Sequence, residues 1–237
     1  MPRLAFISDE DLEKAVENML LQATHALKKV ETKFDSNVID PFAAVFEMAG
    51  FGLDEETWLV NERARKAQKT LSNHVGDFHQ SVLGKVAGWA NLGKGGGLDL
   101  LSKERKIIAE IKNKHNTVTG GKLVHVYTEL DDCVMQKTSL YKDYTAYYVE
   151  IIPKKPRLYD VPFRPSDKAK GSRKPENVLI RKIDGYSFYN LVTGVDGALY
   201  QLFNVLPDVI QASKSVTNYQ FHDFDFLKAF FKAAFGK

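Results

Sequence analysis

Residues 95–116 read GGGLDLLSKERKIIAEIKNKHN and place two acids and a lysine at spacings that suit metal-assisted chemistry. In a strand, alternate residues share a face, so Glu110 and Lys112 point one way while Ala109 and Ile111 point the other. A four-residue turn over 103–106 pairs Ser102 with Ile107 and sets Asp99 opposite Glu110. Directly opposed residues stand roughly 4.5–5.5 Å apart at Cβ, where like charges repel. A divalent cation between the two carboxylates reverses that sign. Hard oxygen ligands in few fixed positions suit Mg²⁺, which keeps waters and takes substrate phosphate. A metal so held acidifies bound water and neutralises charge on a phosphate in the transition state. Lys112, alongside, can orient the attacking water or stabilise the developing negative charge. The plainer alternative is a surface hairpin with Asp99 exposed and Glu110 and Lys112 solvated. The apolar runs at 98–101 and 107–111 favour a buried, functional pair.

Those residues need strands to hold them and helices to cover the strands. Ser8 followed by Asp9, Glu10 and Asp11 marks a helix start with a carboxylate at the capping-box position. Leu12, Val16, Met19, Leu20, Ala23 and Leu27 then recur at helical spacing. Asp40-Pro41 opens a second, shorter helix that Gly50 is expected to stop. Asp54 caps a third, running to about Leu83, with Val75, Phe78, Val82 and Leu83 on one face. Residues 86–92 suggest a short strand, and 103–106 a hairpin turn. Residues 122–142 read as a helix, with Leu123, Val126, Tyr127, Leu130, Val134 and Leu140 on one side. The β-branched and aromatic run TAYYVEII, 145–152, reads as a buried strand. A strand at 178–183 and helices at 188–192, 198–212 and around Phe226, Phe230, Phe231 and Phe235 complete the order. The expected fold is α/β, a mixed central sheet flanked by helices. It divides into a helical part (1–53), a core (54–153) and a basic loop with C-terminal helices (154–237).

The chain has 237 residues, a formal charge of +3 and a single cysteine, Cys133, so no internal disulfide can form. A reduced, cytoplasmic setting fits. The N-terminus turns acidic at once, unlike a signal peptide. No run of about 18 apolar residues predicts a membrane span. Charge is uneven: 154–182 holds ten Lys or Arg against three acids, +7, and four of the eight prolines. It reads as an extended, loop-rich excursion. It is the expected DNA-reading region, with Lys168, Lys170 and Lys174 for phosphates and Arg157, Arg164, Arg173 and Arg181 able to fork onto guanine O6 and N7. His115, just past the catalytic strand, is a minor candidate for facing DNA.

Asp99, then ten residues, then Glu110-Ile111-Lys112, resembles the PD-(D/E)xK nuclease superfamily, with Leu98 where proline is common. The helix, strand, strand, strand, helix, strand order is similar to its core. The blocks GGGLD, AEIKNKHNT, GDFHQSVLG and IDGYSFYNLVTG resemble small restriction endonucleases that cut GGNCC or GGWCC sites, over roughly residues 40–235. The resemblance implies a prokaryotic type II enzyme, Mg²⁺, a short palindrome in double-stranded DNA, a homodimer and a companion methyltransferase. It also implies an acid on the helix before the core strands. Asp77 is placed for that role and would support the metal through water; Glu62 is a weaker choice. A repair or recombination nuclease on the same core, or a non-catalytic DNA-binding module, are the competing readings.

Other signals are weaker. GWANLGKG, 88–95, nearly matches a phosphate loop but has Gly95 where a hydroxyl must touch Mg²⁺, and strand rather than helix should follow. The six histidines form no close pair of zinc-ligand spacing. No G-x-S-x-G marks a serine nucleophile.

Overall fold

The computed structural model describes residues 2–33, 38–93, 97–213 and 224–237. Local capping sets the first three helices. Ser8 Oγ accepts from Asp11 N at 3.1 Å, and α1 (Asp9–Lys33) begins with three acids where the helix dipole favours them. Asp40 accepts from Phe42 N and Ala43 N and opens α2 (Pro41–Phe51). The expected stop at Gly50 lies two residues further on. Gly50 is helical, and Gly52, at φ 66°, takes the left-handed cap and donates to Met48 O. Asp54 accepts from Thr57 N at 2.8 Å and starts α3 (Glu55–Leu83).

The sheet begins with β1 (Ala90–Asn91), β2 (Leu100–Ser102) and β3 (Ile107–Lys114), with β2 antiparallel to both of the others. Helix α4 (Gly120–Met135) crosses to β4 (Thr145–Ile152), which is parallel to β3. Then come β5 (Asp160–Pro162), β6 (Ser166–Asp167), β7 (Ser172–Arg173) and β8 (Ile180–Asp184), followed by α5 (Gly185–Thr193), α6 (Ala198–Ala212) and α7 (Phe224–Phe235). The order β1-β2-β3-β4-β8-β5 mixes parallel and antiparallel pairs, as the α/β expectation requires.

Three expectations are corrected. The strand expected at 86–92 shrinks to Ala90–Asn91, because Lys85, Val86 and Trp89 donate into tight turns. The helix expected to reach residue 142 ends at Met135. Ser139 Oγ donates to the Cys133 carbonyl, Asp143 adopts φ 63°, and Leu140, counted on the apolar side, is 87% exposed. The basic segment is not wholly irregular. β5 joins the sheet edge through β8, and β6 and β7 form a hairpin of their own. The phosphate-loop match falls partly on Lys94 and Gly95, outside the described residues; β2, not a helix, is the next element.

Alternation along β4 separates two cores. Tyr147, Val149 and Ile151 face a core shared with α1, α3, α5, α6 and α7. Ala146 and Tyr148 face a second one under α4, together with Ile108 and Leu101. Period-two geometry therefore puts Glu110 and Lys112 on the α4 side. A strand buried on both faces is what parallel neighbours on each side require.

Candidate active site

The hairpin forms in the expected register. Ser102 pairs with Ile107, Leu101 with Ile108 and Leu100 with Ala109, so the next position out sets Asp99 across from Glu110. The backbone of Asp99 is pinned from both sides. Its N donates to Ala109 O at 2.9 Å, and its O accepts from Leu92 N at 2.9 Å. Its carboxylate Oδ2 accepts from Ile111 N at 2.6 Å. Gly97, at φ 70°, turns the chain into this position in a conformation that side chains disfavour.

Glu110 is buried, 9% exposed, which excludes the solvated-hairpin alternative for that residue. Lys112, on the same face two residues on, forms an ion pair with Glu110 Oε1. Burial, and then the neighbouring Asp99 charge, push the Glu110 carboxyl up to about 7. Burial raises Asp99 as well, against the opposing pull of the Ile111 N–H and the Lys112 ammonium. Each carboxyl disfavours charge on the other, so a proton on one of them relieves the repulsion. Two half-desolvated acids facing one another, with their charge disfavoured, form a donor set that fits a hard divalent cation.

Asp77 lies on α3, against the opposite face of the sheet, where Asn113 Nδ2 donates to Ser72 O at 3.2 Å and Gly76 lets the helix approach. It is near enough for its charge to raise Asp99, and it contacts His74 Nδ1 at 3.3 Å. Among the described residues no three His, Cys, Asp or Glu side chains converge as a metal-binding set. Glu62 is buried in ion pairs with Arg65 and Lys66 on α3. It sits about 22 Å along the helix from Asp77 at 1.5 Å per residue.

The sheet brings further polar groups beside the pair. In register, Tyr148 flanks Glu110, and Glu150 flanks Lys112. Glu150 is 2% exposed; its Oε1 meets Lys182 Nζ at 2.7 Å, and its Oε2 accepts from Tyr159 Oη at 2.7 Å. Among the described residues the buried Tyr148 hydroxyl has no hydrogen-bond partner; burial first, and then the Glu150 and Glu110 charges, hold its proton on. Spacing alone did not single out these residues. One signal was present: Glu150 is the lone charge inside an apolar strand, and such a group is buried only with partners.

The basic segment reaches the same α4 side. Phe163 stacks on Tyr148 at 4.6 Å, Tyr127 Oη donates to Pro175 O at 2.9 Å, and Lys174 Nζ reaches Thr128 Oγ1 at 3.2 Å. Lys168 and Lys170 lie exposed in the turn of the β6–β7 hairpin, with Arg173 exposed on β7 and Arg157 exposed before β5. Arg164 pairs with Glu176 at 3.3 Å. Arg181 binds the side chain and carbonyl of Asp160 at 2.6 and 2.9 Å, tying β8 to β5. His115 is half-buried in the turn after β3, its N donating to Ile152 O.

Comparison with known proteins follows the same outline. The family model described as Eco47II restriction endonuclease matches residues 4–215. The chain is 53% identical over 211 residues to the type II restriction enzyme Eco47II of Escherichia coli, covering 89% of this chain and 88% of that protein. It is 36% identical over 208 residues to the type II restriction enzyme Sau96I of Staphylococcus aureus, covering 86% of this chain and 78% of that protein.

Proposed function

The chain belongs to the Eco47II restriction endonuclease family, and on that premise we propose that it hydrolyses both strands of DNA at a short palindrome, GGNCC or GGWCC, with Mg²⁺ held between Asp99 and Glu110. The observation that carries the reading is the buried Glu110 facing the half-buried Asp99, with Lys112 on its flank. Two acids that repel phosphate have no use in a protein that only binds DNA. The PD-(D/E)xK assignment rests on the same three residues.

Mg²⁺ bound there supplies an acidified water and neutralises charge on the attacked phosphate. Asp99 and Glu110 would hold it through their carboxylate oxygens. Asp99 is kept in place by the Ile111 N–H, so little reorganisation precedes loading. Lys112 then directs its ammonium to the water or to a phosphate oxygen. Asp77 acts on Asp99 by charge and would support the cation through water. Lys168, Lys170 and Arg173 on the hairpin, with Arg157, Arg164, Lys174 and Arg181, bind backbone phosphates or guanine edges. His115 is a lesser contact.

A palindrome has two equivalent strands, so two copies related by a two-fold axis each cut one. A methyltransferase acting on the same sequence protects host DNA, which places both in a prokaryotic cytoplasm. Among the described residues no helix is long and apolar enough to cross a membrane.

The test is plasmid digestion with and without Mg²⁺, sequencing of the ends, and the same digestion with Lys112→Ala. Discrete GGNCC- or GGWCC-type ends that need Mg²⁺ and vanish in the variant bear the reading out. Unchanged cutting by the variant places the centre elsewhere. Ragged ends point to a structure-specific nuclease, and binding without cutting points to a DNA-binding module.

A further inference from the structure

Between α1, α3 and β1 lies a cavity of about 270 Å³ that Asp99, Glu110 and Lys112 do not line. On α1, Ala15, Asn18, Met19 and Gln22 share one face at i, i+3, i+4 and i+7 and border it. On α3, His74, Asp77, Phe78 and Ser81 border it at the same spacing, with Gln80 beside them. Asn91 and Gly93 close the third side. That wall is set tightly against α3: a Cβ on Gly84 would stand 2.5 Å from Asn91 Cβ.

The lining is apolar at three positions and neutral and polar at most others. Ala15, Met19 and Phe78 are half-buried, and so are Gln22, Gln80 and Ser81. The side chains of Asn18, Gln22, Gln80 and Ser81 make no hydrogen bond among the described residues. Asn91 Oδ1 accepts from Gly93 N at 2.8 Å, which leaves its amide N–H donors over. His74 Nδ1 contacts Asp77 Oδ2 at 3.3 Å, and Nε2 remains. Unsatisfied donors and acceptors that converge on one hollow with an aromatic wall match the build of a polar ligand's site.

Charge narrows the ligand. Among the described residues no lysine or arginine lines the cavity, and Asp77 does, so a phosphate is repelled. A neutral group fits. A side-chain amide carries a donor and an acceptor side by side, as the edge of a nucleobase does. Phe78 adds a ring on which a flat base can stack, which a sugar would not use.

The cavity also stands beside the catalytic pair. Asp77 both lines it and raises Asp99 by its charge. Leu92, between Asn91 and Gly93, donates its N–H to Asp99 O at 2.9 Å. It lies on the α3 side of the pair, whereas the basic segment reaches the α4 side. A strand with its phosphate at Asp99 and Glu110 brings the adjoining nucleotide to the cavity's edge. Base pairs within a duplex are read by elements that project into a groove. A hollow between two helices admits only a base that has left the stack.

We propose that this cavity takes one nucleobase of the substrate strand, turned out of the duplex beside the cut bond and held by Asn18, Gln22, Gln80 and Ser81 against Phe78. The inference rests on the reading of the chain as a DNA nuclease. It adds a base-binding subsite on the side of the catalytic pair away from the basic segment.

The test uses the full chain and duplexes carrying one GGWCC or GGNCC site. 2-Aminopurine replaces each purine in turn, and pyrrolocytosine each cytosine, in the site and its two flanking pairs. Fluorescence is read with Ca²⁺, and Mg²⁺ is then added to follow cleavage. One position should brighten on binding, as a base does when it leaves the stack. Removing the base opposite that position should tighten binding by about tenfold or more, because the cost of unpairing is gone. Asn18→Leu/Gln22→Leu and, separately, Ser81→Leu should keep the native circular dichroism spectrum, lose the brightening and bind the intact site about tenfold more weakly. A native chain that cuts while no position brightens overturns the proposal and leaves the nuclease standing. Folded variants that brighten the same position as the native chain overturn it as well. A native chain that brightens one position but leaves DNA intact with Mg²⁺ sustains the base pocket and removes the nuclease.

Discussion

Replacing Glu110 by glutamine should make the metal-free protein more stable above neutral pH while abolishing its activity. The Glu110 carboxyl is raised from 4.5 to about 7 in the fold, chiefly by burial and then by Asp99. The folded chain therefore binds this proton more tightly than the unfolded chain, and stability falls as pH rises from 4.5 through 7. Above that window the cost reaches its full size, about 3 kcal/mol at roughly 1.4 kcal/mol for each tenfold change in proton affinity. The favourable pull of Lys112 is already part of that balance, so losing the ion pair is counted. Glutamine resembles the protonated acid in size and neutrality, and it recovers most of the difference. At about 2–4 °C per kcal/mol for a chain of this length, Tm should rise by roughly 4–10 °C at about pH 8 and by little at about pH 4.5. Scanning calorimetry of both proteins at the two pH values, without divalent ions, measures this. Added Mg²⁺ should raise Tm of the native chain at the higher pH and leave the variant unmoved, because only the native chain has the paired acids to hold it. A variant less stable than the native protein at the higher pH, or a gain equal at both pH values, would refute the electrostatic argument.

Other outcomes follow from packing and charge. Gly84→Ala would bring a Cβ to 2.5 Å from Asn91 Cβ and 2.8 Å from Asn91 N, so it should cost about 3 kcal/mol or more by denaturant unfolding. Glu150→Ala leaves the Lys182 ammonium and the Tyr159 hydroxyl without their buried partner and should cost about 3 kcal/mol in the same assay. Replacing Lys168, Lys170 and Arg173 together by alanine should lower the slope of log affinity against log salt by about 0.9 for each phosphate no longer neutralised, read by DNA-binding titration, with the melting temperature unchanged. Arg181→Ala should in addition lower Tm, loosening β5 from β8, because its guanidinium is held by Asp160.

Features set within a dozen residues were legible from spacing alone. The 103–106 turn fixes the Ser102–Ile107 register, and that register puts Asp99 across from Glu110. Asp40 and Asp54 cap the helices that follow them because their carboxylates reach N–H groups two or three residues on. Where expectation and structure part, a local competitor is the reason. Gly50 could remain helical because Gly52 supplied the left-handed cap, and Ser139 ended α4 before the apolar pattern ran out.

By itself, then, the sequence determined the caps, the β2–β3 hairpin and the shared face of Glu110 and Lys112, since each depends on bonds between near neighbours in the chain. Tertiary structure alone decided which strands lie beside β3, that Glu150, Lys182 and Tyr159 join into one buried network, and that Arg181 is bound to Asp160. It also decided that Glu110 is buried deeply enough to hold its proton near neutrality, and that α2 turns an apolar face to solvent. Parallel pairing joins segments separated by a helix or a long excursion, and desolvation depends on everything packed around a group. Neither is written in the spacing of neighbouring residues.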